Sequence, residues 1–196
     1  MAYLFLCYDR VWYIDAVGQL FLERNTLDET LAKTLIESVR DGHVDVLTII
    51  TGPWWFTNLR VWALVCNLLL QYIPTVVCRS VSKIDIYQYL VDQWLLPPYG
   101  VLYIGQQKSV RHYDFDKKIH TSQPKEVHID TQLCFVDAID DYFPSDYADN
   151  RVSFVQESNT IIASYRWKTI SLDPLFQSLS SVKVVLPSYY VQPIIG

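Results

Sequence analysis

The chain has 196 residues, of which 51% are hydrophobic and 19% charged, and its formal net charge is −5. This composition excludes an intrinsically disordered chain, and the length suits one domain or two small lobes with a substantial core. The acidic balance argues against a protein that grips nucleic acid by itself, because phosphate binding needs clustered lysine and arginine. Glycine and tryptophan each occur six times, although glycine normally makes up about 7% of a chain.

The start of the chain and the cysteines predict a cytoplasmic protein. Residues 1–10 lack the basic segment of a signal peptide and are expected to form a first strand. The longest nearly apolar run, 61–73, is shorter than the roughly 20 residues that cross a bilayer. The cysteines form no C-x-x-C pair, which favours reduced core residues over a disulfide framework or a zinc site. They are Cys7, Cys66, Cys78 and Cys134.

The first half of the chain predicts three strands followed by alternating helices and strands. The residues from Thr26 to Glu29 form a capping box, which begins a helix that continues to Arg40 and stops at Gly42. The other predicted elements are strands at 3–8, 11–17, 19–24, 44–50 and 75–78 and helices at 56–72 and 84–93. The order βββαβαβ is that of a ribonuclease-H-like (actin-like ATPase) lobe, so we predict an α/β fold of this type.

The second half is less regular and predicts a reduced second lobe. Strands are expected at 100–104, 110–115, 126–129 and 151–156, followed by a hairpin of 160–165 and 168–172 around Arg166-Trp167. The prolines of Leu96–Tyr99 mark the predicted boundary. We therefore expect an N-terminal ribonuclease-H-like lobe over 1–96 and a smaller, degenerate C-terminal lobe over 97–196.

The predicted helix at 56–72 is apolar on almost all sides. Such a helix must be covered all round. One face can pack on a sheet, and the opposite face needs a second cover. That cover can be the first helix, the second lobe or another protein, since exposed apolar patches commonly mark partner surfaces.

The segment that opens this helix resembles the G-P-G-S-F-T-G-L-R-x-G signature of the TsaB (YeaZ-like, Gcp-like) family. Tryptophan stands where that family has glycine at Trp54 and Trp62, Trp55 stands at the serine, and Asn58 replaces a third glycine. The residues that match the signature, in register and without gaps, are Gly52, Pro53, Phe56, Thr57, Leu59 and Arg60.

The resemblance implies a scaffold without chemistry of its own. TsaB is the dimerisation subunit of the bacterial complex that installs N6-threonylcarbamoyl on the adenosine beside the anticodon of tRNA. A TsaB-like chain would bind a TsaD-like catalytic subunit through its two N-lobe helices. It would meet a TsaE-like ATPase through the complex, contact tRNA only indirectly, and need no cofactor or membrane. Whether it also forms a homodimer is left open.

Mapped onto this chain, that binding mode uses the helices at 27–40 and 56–72. Arg60 is expected to be an internal clamp at the start of the second helix. The expected interface residues are Leu31, Leu35, Val39, Trp62, Val65, Cys66 and Leu69.

Two other functions stay open, a divergent actin-like kinase or ATPase and an unrelated α/β interaction domain. An actin-like ATPase needs an aspartate in a glycine-rich first hairpin, where small residues let the phosphate approach. Asp9 is present, but its neighbours are not small residues. We therefore expect Asp9 to be a turn residue and not a metal ligand. The acidic segment Asp137 to Asp149 is expected to be a solvated loop, and the four histidines are scattered. We therefore expect no catalytic residue, no metal site and no cofactor.

The tryptophans occupy positions at which glycine would be natural. Besides the two in the signature, Trp12 lies in the first hairpin, Trp94 follows the third helix and Trp167 lies in a predicted turn. We hypothesise that some or all of the six tryptophan codons, Trp55 included, are UGA, which certain bacterial lineages read as glycine.

Overall fold

The computed structural model describes residues 2–7, 10–14, 20–23, 29–51, 56–105, 109–124, 134–137, 150–157 and 160–187. It confirms an α/β protein, built on two mixed sheets. The chain divides into two compact units, one of Met1–Lys83 with Pro174–Gly196 and one of Ile84–Asp173. Within the described ranges, none of the helices has the length and apolar character needed to cross a membrane.

The first unit contains a six-stranded sheet whose order is β13-β5-β4-β1-β2-β3, in which β13 is the short strand Ser181–Val182. The first three strands pair antiparallel, whereas β1, β4 and β5 run parallel to one another. In chain order the elements are β1 (Ala2–Cys7), β2 (Arg10–Ile14), β3 (Leu20–Glu23), α1 (Glu29–Arg40), β4 (Val46–Ile50), α2 (Phe56–Tyr72) and β5 (Val77–Val81). The predicted capping residue Thr26 lies outside the described residues.

A hydrophobic core joins α1, α2, β4 and β5. The β-branched run of β4 is buried, as expected for a central parallel strand covered on both faces. Leu35 and Val39 of α1, Leu47 of β4 and Cys66 of α2 belong to one buried cluster. The chain therefore covers one face of α2 itself.

Helices α1 and α3 (Lys83–Asp92) end in the same hydrogen-bonding motif. After α1, the Gly42 amide donates to the Val39 carbonyl (3.2 Å) and the His43 amide donates to the Ser38 carbonyl (3.0 Å). After α3, the amides of Trp94 and Leu95 donate in the same pattern to the carbonyls of Val91 and Leu90, both at 3.0 Å. This is the Schellman motif, and its C′ residue has φ +76° at Gly42 and +59° at Trp94.

The second unit holds a seven-stranded sheet of order β12-β11-β10-β9-β6-β7-β8. Its core includes an edge-to-face pair of Tyr87 and Phe154, whose ring centroids lie 6.0 Å apart. The predicted hairpin is present, with Arg166-Trp167 as a two-residue loop between β11 and β12. The strands are β6 (Val101–Gly105), β7 (Ser109–Asp114), β8 (Ile119–Pro124), β9 (Cys134–Asp137), β10 (Arg151–Glu157), β11 (Thr160–Tyr165) and β12 (Lys168–Ser171).

Strands β8 and β9 had no counterpart in the sequence prediction. The strand predicted at 126–129 lies outside the described residues. The limits of the two predicted lobes, 1–96 and 97–196, remain a prediction.

The chain returns to the first unit after the second sheet is complete. Helix α4 (Asp173–Ser178) is followed by β13 (Ser181–Val182), which pairs antiparallel with β5 through Arg79 and Cys78. The Arg79 Nη1 also donates to the carbonyls of Phe176 (3.1 Å) and Gln177 (3.4 Å), which are among the last carbonyls of α4. The pairing places this segment in the first sheet.

The side chain of Asn67 holds the returning segment against α2. Its Nδ2 donates to the Val185 carbonyl (3.1 Å), and its Oδ1 accepts from the Val185 amide (2.7 Å). Val185 is buried in the core cluster of the first unit. The amide group of Asn67 thus satisfies both backbone groups of a residue that would otherwise be buried without partners.

We expect Asn67→Ala to destabilise the protein by about 2 kcal/mol, because two buried backbone groups lose their partners. Chemical denaturation measures the loss, and hydrogen exchange reports faster exchange of the Val185 amide. The control is Gln71→Ala, at an exposed position of the same helix, which should stay within about 0.5 kcal/mol of the unmodified chain. An unchanged stability in Asn67→Ala would contradict the assigned role.

Candidate partner-binding surface

Helix α2 carries a stripe of exposed apolar side chains on one face. Val61, Leu64, Leu68 and Tyr72 follow one another at spacings of three, four and four residues, which places them on one side of a helix. Leu64 is 59% exposed and Tyr72 is 73% exposed. We call these four residues the α2 stripe. The stripe carries no charge, and it is the kind of surface that a protein partner covers.

The predicted interface residues lie mainly on the opposite, buried side of the two helices. Leu35, Val39, Trp62, Cys66 and Leu69 are all core residues, each no more than 4% exposed. This placement corrects the expectation that they meet a partner, because side chains enclosed by their own unit have no surface to offer one. Their burial follows from the packing of α1 and α2 into one cluster with Leu47, Ile49 and Cys78.

The other predicted interface residues have different surroundings. Val65 is partly buried and packs against the core cluster, whereas the side chain of Leu31 lies outside the described residues. Ile36, which the sequence analysis did not select, is 43% exposed on α1. The use of the two helices for partner binding stays a prediction, and the structure identifies the residues that are accessible for it.

The sequence analysis did not identify which face of α2 is exposed, because the helix is apolar nearly all round. One signal in the sequence could have found it, namely the polar residues Arg60, Asn67 and Gln71, which lie at helical spacing along one edge. The exposed face begins beside that edge. Placing the solvent face there would have selected Leu64 and Leu68 instead of Trp62 and Cys66.

The residues of the signature are only partly described. Gly52 and Pro53, together with Trp54 and Trp55, lie outside the described residues, as do the side chains of Phe56, Thr57 and Leu59. Arg60 is exposed near the start of α2, and its role as an internal clamp stays a prediction.

The buried face of α2 holds two side chains with unusual environments. The Trp62 indole Nε1 is buried and has no hydrogen-bond acceptor among the residues that the structure describes. Burial raises the pKa of the Cys66 thiol, and the nearby Cys78 adds to this effect. Burial also raises the pKa of Cys78 from 9.0 to about 12. Both thiols are therefore protonated at neutral pH, and neither is a nucleophile there.

The part of the chain that the structure describes contains no group of three histidine, cysteine or acidic side chains that could hold a metal ion. Asp9 lies outside it, as do the side chain of Asp137 and the residues from Asp140 to Asp149. His43 is exposed, and the side chains of the other three histidines are not described. The predictions for Asp9 and for the acidic segment therefore stay predictions.

The likeness of the chain to known proteins is distant. No protein-family model and no curated protein matches it. A similar solved structure is an uncharacterized protein with similarity to peptidase YEAZ from Pseudomonas aeruginosa, at 16% identity and a TM-score of 0.42, covering 69% of this chain and 74% of that one. Another is YeaZ from Pseudomonas aeruginosa, also at 16% identity and with the same coverage of both chains, at a TM-score of 0.38.

Proposed function

We propose that the chain is a non-catalytic, TsaB-type scaffold subunit with a ribonuclease-H-like first lobe. In this role it binds a TsaD-like catalytic subunit in the cytoplasm, and the complex installs N6-threonylcarbamoyl on the adenosine beside the anticodon of tRNA. A TsaE-like ATPase joins through the complex, and tRNA is contacted only indirectly. The proposal concerns a binding function, since it assigns no catalytic step to this chain.

The observation that carries the proposal is the α2 stripe. An uncharged row of exposed Val61, Leu64, Leu68 and Tyr72 lies on the helix that follows the TsaB-like signature. The buried face of the same helix is already filled by the chain's own core. The stripe is therefore free for a partner, and its apolar character suits a stable protein interface.

Two features of the first unit support the family assignment. The described elements run β1-β2-β3-α1-β4-α2-β5 in chain order, and β1, β4 and β5 are parallel. In the sequence, the signature residues from Gly52 to Arg60 follow β4, and those from Phe56 onward begin α2, which is the order expected for the family's motif.

The direct test is to mix the purified chain with the TsaD-like subunit of the same organism. Size-exclusion chromatography is expected to show a complex of the two that neither protein forms alone. Failure to bind any TsaD-like subunit would overturn the proposal and favour an unrelated interaction domain. ATP hydrolysis by the isolated chain that is abolished in Asp9→Ala would favour a divergent kinase or ATPase instead.

A further inference from the structure

The turn after α3 places a tryptophan in a conformation that is costly for any residue with a Cβ atom. Trp94 has φ +59° at the C′ position of its Schellman motif. In the left-handed region the Cβ comes too close to the following carbonyl oxygen, and glycine avoids this contact because it has no Cβ. The equivalent residue after α1 is Gly42, which has φ +76° and the same pair of hydrogen bonds.

The tryptophan side chain gains little at this position. It is 73% exposed, so an aromatic ring remains largely in water. The Lys168 Nζ donates to the Trp94 carbonyl oxygen at 3.3 Å, and this contact uses the backbone, which glycine supplies equally. Positive φ also occurs at Lys118 and Arg166, but neither of these residues ends a helix.

The hairpin of β11 and β12 does not give a second case. Its loop consists of Arg166 and Trp167 alone, and the loop residue with positive φ is Arg166, at +55°. When only the first residue of such a loop has positive φ, the position that favours glycine is that first one. Trp167 is 83% exposed, but its backbone makes no demand for glycine.

We infer that residue 94 is glycine in the organism that makes this chain, because its codon is UGA and is translated there as glycine. This position combines a backbone that favours glycine with an aromatic ring left in solvent. The other tryptophans change with it wherever their codons are also UGA. The inference does not depend on the proposed function, because it concerns a turn outside the α2 stripe.

The decisive experiment makes two measurements on the organism that makes this chain, the codons of the gene and the masses of peptides from the protein. The gene is expected to carry UGA at position 94, and the peptide that contains this position in the cellular protein is expected to have the mass of the glycine form. UGG at position 94, or a peptide with tryptophan there, would overturn the inference. The same DNA sequence shows whether positions 54 and 62 also have UGA codons, which would place glycine at these two positions of the TsaB-like signature.

A stability comparison tests the conformational argument separately. Trp94→Gly is expected to raise the folding equilibrium constant roughly five- to thirtyfold, because the left-handed conformation no longer strains a Cβ. The matched control is Trp94→Ala, which removes the ring and keeps the Cβ. Equal stability of the two variants would overturn the argument from the Schellman motif. A clear excess in Trp94→Gly alone would support it.

Discussion

Leu35→Ala is expected to lower the free energy of unfolding by about 3 kcal/mol, since it removes a fully buried side chain from the core of the first unit. Leu35 belongs to the cluster that joins α1, α2 and β4. The neighbouring secondary structure is held from several sides, so it cannot collapse completely into the space left behind. Both the lost burial and the remaining cavity contribute to the cost.

The adjacent residue provides the matched control. Ile36 lies one position further along α1 and is 43% exposed, so Ile36→Ala should cost less than about 1 kcal/mol. Urea denaturation of both variants measures the difference. A loss in Leu35→Ala no larger than that in Ile36→Ala would mean that Leu35 is not enclosed by its own unit, which would restore it as an interface candidate.

Leu64→Glu is expected to weaken binding to the TsaD-like subunit by about a hundredfold or more, because it places an unpaired charge in an apolar interface. Leu64 is 59% exposed in the centre of the α2 stripe. The free energy of unfolding of the isolated chain should change by no more than about 0.5 kcal/mol, as for other exposed substitutions. Calorimetric titration measures the affinity, and thermal unfolding checks the fold.

The control for this experiment introduces the same charge elsewhere. Ile119 is an exposed apolar residue of the second unit, 51% exposed in β8. Ile119→Glu should leave the affinity for the TsaD-like subunit unchanged. If both variants bind as the unmodified chain does, the α2 stripe is not the binding surface. Equal weakening in both would indicate a nonspecific effect of charge.

Regular local patterns made parts of both units predictable. Helix α2 has the predicted bounds, Phe56–Tyr72, because a long apolar run is closed by Pro74. The hairpin of β11 and β12 was predicted from two β-rich runs separated by two residues. In both cases the signal lies within a few neighbouring residues, so no knowledge of the remaining chain is needed.

Elements that depend on distant contacts could not be predicted. β13 has only two residues and exists because it pairs with β5, which precedes the whole second sheet in the chain. The hydrogen bonds of Asn67 to Val185 likewise join residues 118 positions apart. The exposed face of α2 was missed for a related reason. Contacts with α1, β4 and β5 decide which face of the helix is buried, and the distribution of apolar residues along α2 gives only a weak indication of that face.

The return of α4 and β13 to the first sheet has a consequence for folding on the ribosome. An N-terminal domain usually completes its fold while later residues are still being made. Here Val185 and β13, which pairs with β5, are synthesised only after the second unit. Until then, one edge of β5 and the Asn67 side of α2 lack their covering segment. The nascent first unit therefore passes through a stage with an open sheet edge, which is a site for unwanted strand pairing.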